Sequence, residues 1–168
     1  IGAPLPMEKI RAALPKLAKS LSPQGGRAAA EAILTTDTRA KEAALRVEVN
    51  GRPVTLGAMA KGVGMIEPHL ATMLCFVTTD AVIAPDALRA VVRRAVDRSF
   101  NRITVDGDES TRDTVAVLAN GIAENALLET GGRGLRQFAS GLDALTARLA
   151  RMLVADGEGA TTVVTIAV

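Results

Sequence analysis

Apolar residues Met7, Ile10, Leu14, Leu17 and Leu21 recur three or four positions apart behind Pro6, which is the repeat of one helix face. The spacing predicts a short amphipathic helix, kinked where Pro15 removes a main-chain donor. Ser22-Pro-Gln-Gly-Gly26 breaks the pattern. The alanine-rich Arg27 to Leu34 then predicts a second helix that ends near Thr35-Thr-Asp37. From Ala44 the period shortens to two, with Leu45, Val47 and Val49 on one face, followed by Asn50-Gly51 and Arg52-Pro-Val-Thr55. Both turn positions of a tight hairpin need positive φ, which Asn-Gly supplies, so a β-hairpin is predicted here.

Gly57 to Gly64 reads as a continuation of the sheet with glycine bends, and Met73 to Thr79 as a short buried strand that Thr72 would start. Pro85-Asp86 opens a helix whose apolar positions Leu88, Val91, Val92, Ala95, Val96 and Phe100 follow the i, i+3, i+4 rule. Strands are expected at Ile103 to Val105 and, after the turn at Asp106-Gly-Asp-Glu109, at Thr114 to Ala119. Phe138, Leu142, Leu145, Leu149 and Met152 mark a long helix after Gly131-Gly-Arg-Gly134, and Thr161 to Val168 reads as a last strand. This mixed order predicts an α/β fold, a layered αββα-type sandwich with a mainly antiparallel sheet. A terminal strand with nothing after it leaves an unpaired edge, so the sandwich is expected to be incomplete at both ends, with further sequence once completing the sheet.

Composition narrows the function classes. A chain of 168 residues forms one core, not two ordinary domains. Twenty lysines and arginines stand against 18 acids with no long block of one sign, and the three aromatics Phe76, Phe100 and Phe138 offer no stacking platform, so nucleic acid is not an expected partner. The longest apolar stretch, Leu70 to Val82, is broken by Thr72, Thr78, Thr79 and Asp80 and falls well short of the roughly 20 residues of a spanning helix, so no membrane partner is expected. Cys75, alone, forms no internal disulfide and suits a reducing compartment such as the cytoplasm. Ile1 in place of methionine, without a secretory pattern behind it, reads as a cut or trimmed N-terminus.

The stretch Met59 to Asp80 holds the candidate chemistry: a glycine-flanked lysine, Lys61, and an Ala71-Thr72 junction ahead of an apolar run. A threonine hydroxyl becomes a useful nucleophile when the residue is N-terminal and its own α-amine serves as base. Thr72 is read as such a latent nucleophile, beside the reading of Ala71-Thr72 as an ordinary strand boundary. Lys61 has a solvated loop role and an anion-binding role open to it, and Glu158, between Gly157 and Gly159, has those of a turn acid and a pocket carboxylate. His69, near Thr72, reads as a loop residue and not as a triad base; Cys75 reads as a buried inert thiol. Gly62-Val-Gly64 lacks the spacings of phosphate-binding loops. Asp106-Gly-Asp-Glu109 lacks the full calcium-loop pattern, and one histidine with one cysteine assembles no zinc site, so no metal is expected.

Together these elements resemble the ornithine acetyltransferase family, also called glutamate N-acetyltransferase. The likeness rests on Leu5-Pro-Met-Glu-Lys9, Ile33-Leu-Thr-Thr-Asp37, Gly57-Ala-Met-Ala-Lys-Gly-Val-Gly-Met-Ile66, Leu70-Ala-Thr-Met-Leu74, Thr78-Thr-Asp80, Asp106-Gly-Asp108 with Ser110-Thr111, Asp113-Thr114, and Glu158-Gly-Ala160. It spans almost the whole chain, in family order.

The resemblance implies an arginine-biosynthesis acyltransferase whose precursor cuts itself at Ala71-Thr72. On this reading residues 1–71 form the C-terminal part of an α piece and residues 72–168 the N-terminal part of a β piece, joined in one structural unit. It further implies that Thr72 carries an acetyl group from N-acetylornithine to glutamate in two steps without a cofactor, and that Thr35, Lys61, Thr72 and Glu158 contact substrate. Two α and two β pieces would assemble as a heterotetramer in the cytoplasm. The family's Thr-Gly oxyanion pair falls upstream of Ile1-Gly2, and Arg112 and Thr162 stand where asparagine and lysine are usual. The alternatives are a related N-terminal-nucleophile amidohydrolase or aminopeptidase, and a non-catalytic truncated remnant.

Overall fold

Asn50 and Gly51 take φ values of 51° and 80°, and the chain reverses on these two residues as their side chains permit. The computed structural model describes residues 4–66, 73–108, 110 and 113–167. The turn joins β1 (Lys41–Val49) to β2 (Arg52–Lys61), paired antiparallel from Val49 opposite Arg52 to Lys41 opposite Ala60. β3 (Leu74–Thr79) runs antiparallel to β2, with Leu74 opposite Lys61, and β4 (Thr114–Ala119) runs parallel to β3, giving the order β1-β2-β3-β4. A parallel neighbour needs a crossover, and α3 (Pro85–Asp97) lies within it. The fold is therefore mixed α/β with a mainly antiparallel sheet, as the element order predicts.

Alternation places Leu45, Val47, Val54, Leu56, Cys75 and Val77 on one face of this sheet, within one core with the buried side of α4 (Arg133–Val154). Leu135, Phe138, Leu142, Leu145, Leu149 and Leu153 of α4 are buried there. Fully burying each such side chain contributes about 1.5–3 kcal/mol. The backbone N–H of Asn50 donates to Gln137 Oε1 at 3.0 Å, which fastens the hairpin turn to the start of α4. Gly141 lets α4 and β1 approach closely, since a methyl group there would come within 2.5 Å of Val47 Cγ1. Cys75 is buried in this core, and desolvation pushes its thiol up to about 12, so it is not a nucleophile at neutral pH.

The two N-terminal helices form where the periodicity places them. α1 (Met7–Lys19) continues through Pro15 and buries none of its residues, and α2 (Gly26–Ala32) buries Ala30. Two expected strands do not form. Ile103–Val105 packs against the core without joining a strand ladder, the Ile66 carbonyl accepting from Val105 N–H at 2.8 Å and Thr104 Oγ1 at 3.0 Å before the turn at Asp106. Residues 161–167 are exposed and carry no strand pairing, so their β-branched composition finds no ladder to join. The start of β3 expected at Thr72 lies outside the described residues.

The inner face of the sheet also carries a buried charge. Lys41, fully buried, sits between Asp37 Oδ1 and Asp156 Oδ2, each 2.6 Å from its Nζ. Asp37 Oδ1 also accepts the Gly62 N–H at 2.8 Å, and Asp156 accepts the Thr38 N–H at 3.1 Å and the Thr38 hydroxyl. The network thus ties the loop after α2, the end of β2 and the loop after α4 to one ammonium. Burial pushes both carboxyls up, but the Lys41 hydrogen bond, with the Gly62 N–H for Asp37 and the Thr38 hydroxyl for Asp156, outweighs it. Both lie below the ordinary carboxylate value.

Two expected outcomes follow from this packing. Gly141→Ala gains up to ~1 kcal/mol in helix propensity but overpacks Val47, so a net loss of about 1–2 kcal/mol is expected in urea titration; an unchanged midpoint would show that α4 and β1 have room to separate. Lys41→Met leaves two buried carboxylates without their cation and is expected to cost about 3–5 kcal/mol. The native pair contributes stability that is present above the ordinary carboxylate pKa of 3.8 and is lost as pH falls through the lower folded values. In Lys41→Met that acid dependence should weaken, because burial still raises both carboxyls while the ammonium that lowers them is gone and only the Gly62 and Thr38 donors remain. Parallel acid-limb slopes in the two proteins would contradict the assignment.

Candidate active site

At the end of β2 the chain leaves the sheet through Gly62-Val-Gly-Met65, and three other segments meet it there. They are the Thr35-Thr36 loop from the N-terminal side, the Asp106 turn, and Glu158 beyond α4. These segments line a cavity of about 340 Å³. The sequence separation between Thr35 and Glu158 is closed by the Lys41 network, because Asp37 stands two residues after Thr35 and Asp156 two before Glu158. Three of the residues singled out from the sequence, Thr35, Lys61 and Glu158, are thereby brought to one cavity. Thr72, Ala71 and His69 lie outside the described residues.

Lys61 is the last residue of β2 and only 8% exposed. Its Nζ donates to Thr35 Oγ1 at 3.3 Å, and no carboxylate of the described residues forms an ion pair with it. A buried ammonium with a neutral partner is suited to receive an anion, since an unpaired charge in such a place is costly.

The same cavity is also lined by acids. The backbone N–H of Glu158 donates to the Val63 carbonyl at 2.6 Å, which pins the residue across from the β2 exit while its side chain remains exposed. Both acids lie close to Gly64: a Cβ there would stand 3.0 Å from Glu158 Oε2 and 3.5 Å from Asp106 Oδ2. Asp106 holds the turn itself, its Oδ2 accepting the Met65 N–H at 2.6 Å and its Oδ1 the Ile66 N–H at 3.0 Å. Burial raises the Asp106 pKa, but the N–H groups of Met65, Asp108 and Ile66 lower it further, and it lies below the ordinary value.

The cavity is therefore lined by groups of both charges, a cation beside a hydroxyl together with carboxylates. Such a site can orient a small molecule that carries both charges. Among the described residues no cluster of three histidine, cysteine or acidic side chains is placed to hold a metal ion, and no helix is long and apolar enough to cross a membrane. Sequence reasoning gave no site role to Asp106, which it took as a turn, or to Lys41, Asp37 and Asp156. The signal for Lys41 was present in the strand: it shares the parity of Leu45, Val47 and Val49 and so belongs on the inner face.

Comparison with known proteins agrees with the motifs. The sequence matches the ArgJ family over residues 1–168. It is 55% identical over 168 residues to the arginine biosynthesis bifunctional protein ArgJ of Symbiobacterium thermophilum and 53% identical over 168 residues to that of Methylococcus capsulatus. The whole chain is covered in both alignments, along with 42% and 41% of those relatives, so it spans about two fifths of their length. A crystal structure of arginine biosynthesis bifunctional protein ArgJ from Bacillus halodurans aligns with 51% of the chain and 40% of its own length, at 44% identity and a TM-score of 0.49. With a match over its full length and more than half of its residues shared with named members, the chain belongs to the ArgJ family.

Proposed function

We propose that the complete protein carrying this chain is an acetyltransferase of arginine biosynthesis, and that Thr72, freed as an N-terminal residue, bears the acetyl group. The observation that supports the reading most is the meeting of Thr35, Lys61 and Glu158 in one cavity. Met73, next in sequence to Thr72, leads into β3 at the level of Lys61.

The chemistry runs in two stages. In maturation the Thr72 hydroxyl attacks the Ala71 carbonyl carbon, the Ala71–Thr72 C–N bond breaks, and the nitrogen leaves as the free α-amine. Water then hydrolyses the resulting ester and releases the Ala71 carboxylate. In turnover the α-amine takes the hydroxyl proton as the oxygen attacks the acetyl carbonyl of N-acetylornithine. The amine of ornithine leaves with a proton, acetyl-Thr72 remains, and the amine of glutamate attacks that ester to regenerate the hydroxyl. Lys61 and Thr35 would receive the substrate carboxylate, and Glu158 the side-chain ammonium of ornithine.

The pieces formed by the cut, 1–71 and 72–168, would stay associated. β2 of the first pairs with β3 of the second, α4 covers β1, and Lys41 of the first is bound to Asp156 of the second. Assembly of two such pairs into a heterotetramer, and a cytoplasmic location, belong to the same proposal.

Mass spectrometry of the wild-type protein should show two fragments meeting at Ala71-Thr72, and Thr72→Ala should remain one chain; a single uncut wild-type chain would sink the mechanism. With mature enzyme, Lys61→Met is expected to lower kcat/KM for N-acetylornithine by about 10- to 100-fold, the loss of one charge-assisted contact. Glu158→Gln should show a similar loss with N-acetylornithine and almost none with N-acetylnorvaline, which lacks the side-chain amine. Equal losses on both substrates would remove Glu158 from that role. Release of acetate without N-acetylglutamate would favour an amidohydrolase.

A further inference from the structure

Beyond the cavity, a second carboxylate is built against the main chain beside the proposed nucleophile. Asp113 Oδ1 accepts the backbone N–H of Met73 at 2.9 Å, and the Met73 carbonyl accepts the N–H of Thr114 at 3.1 Å. Consecutive residues at the start of β4 therefore grip Met73 through both its N–H and its C=O. The parallel ladder proper begins one residue later, with Leu74 opposite Thr114. At the position before it an aspartate side chain takes the place of a strand carbonyl. The N–H it holds belongs to the peptide bond that joins Thr72 to Met73.

We propose that Asp113 is a positioning residue for the chemistry of Thr72, fixing the peptide group on its C-terminal side within the electrostatic field of the buried Lys61. The inference rests on the reading of Thr72 as the self-processing nucleophile. An attacking hydroxyl loses rate steeply when its backbone is misplaced by about 1 Å, so a side chain that anchors the adjacent amide acts on the reaction without touching the reacting atoms.

The surroundings make this anchor sensitive to pH. Met73 is buried, and Asp113 is half-buried at the end of a groove of about 570 Å³ that also carries Arg89, Arg93 and Asp97 of α3. Burial raises the Asp113 carboxyl, the Met73 N–H and the charge of Lys61 oppose that rise, and the balance leaves it at about 6. Above that value the contact is a charge-assisted hydrogen bond and below it a neutral one, roughly half as strong.

The test is the rate at which freshly synthesised protein, carried in its complete natural chain, separates into two fragments, followed by mass spectrometry between pH 5 and 8. The wild-type rate should rise with an inflection near 6. Asp113→Asn keeps an acceptor oxygen and loses the charge, so it should approach the wild-type rate at pH 5, fall about threefold short at pH 8 and lack the inflection. Asp113→Ala should be slower by tenfold or more at both ends, with far-UV circular dichroism and melting confirming that each variant is folded. An Asp113→Asn profile that keeps the inflection, or abolished cleavage in folded Asp113→Asn at every pH, overturns the proposal, and the first of these decides the matter even if Asp113→Ala fails to fold. A wild-type chain that never separates overturns the reading of Thr72 instead, which keeps the two failures distinct.

Discussion

The ammonium of Lys41 ties together parts of the chain that are far apart in sequence. It lies on the inner face of β1, without access to water, and bonds a carboxylate from before β1 and one from after α4. Removing three charged groups from solvent is expensive, and it is offset only because each is satisfied: Asp37 by Lys41 and the Gly62 N–H, Asp156 by Lys41 and Thr38. A network that is complete specifies one arrangement of its loops. Here that arrangement goes with Thr35 and Glu158 both lining the cavity at the exit from β2.

The sheet supplies the remaining precision. Pairing to β1 and β3 fixes the backbone of β2 as far as Lys61, so its ammonium is presented from a rigid element. Asp106 then shapes the turn that follows, and the missing side chain at Gly64 leaves room for two carboxylates. The cation and the acids line one small cavity without forming an ion pair with one another, which is the condition for recognising a ligand of both charges.

The same ladder explains why a chain cut between β2 and β3 would not fall apart. The loop that would be severed contributes nothing to the six residue pairs of the β2–β3 register, from Leu56 opposite Thr79 to Lys61 opposite Leu74. Helix α4 closes over β1 and β2 from the other piece. On this view cleavage exchanges one covalent connection for a free amine while the packing stays as it was.

Much of this was readable along the chain. Asn50-Gly51 determined the hairpin through the φ values it tolerates, and the repeats in Leu88 to Phe100 and Phe138 to Met152 determined α3 and α4, because period and turn chemistry act within a few residues. The residues that carry the family likeness also marked Thr35, Lys61 and Glu158. By contrast, Ile103–Val105 and residues 161–167 have strand composition but no strand pairing, since a strand exists only if a neighbouring edge offers hydrogen bonds. The burial of Lys41 between Asp37 and Asp156, the service of Asp106 to the turn, and the grip of Asp113 on Met73 join residues separated by 4 to 115 positions. The sequence determined which segments had a regular local conformation and which side chains resemble a known site. Tertiary structure alone decided which charges meet, because an ion pair or a side-chain hydrogen bond depends on distance in space, which no local period encodes.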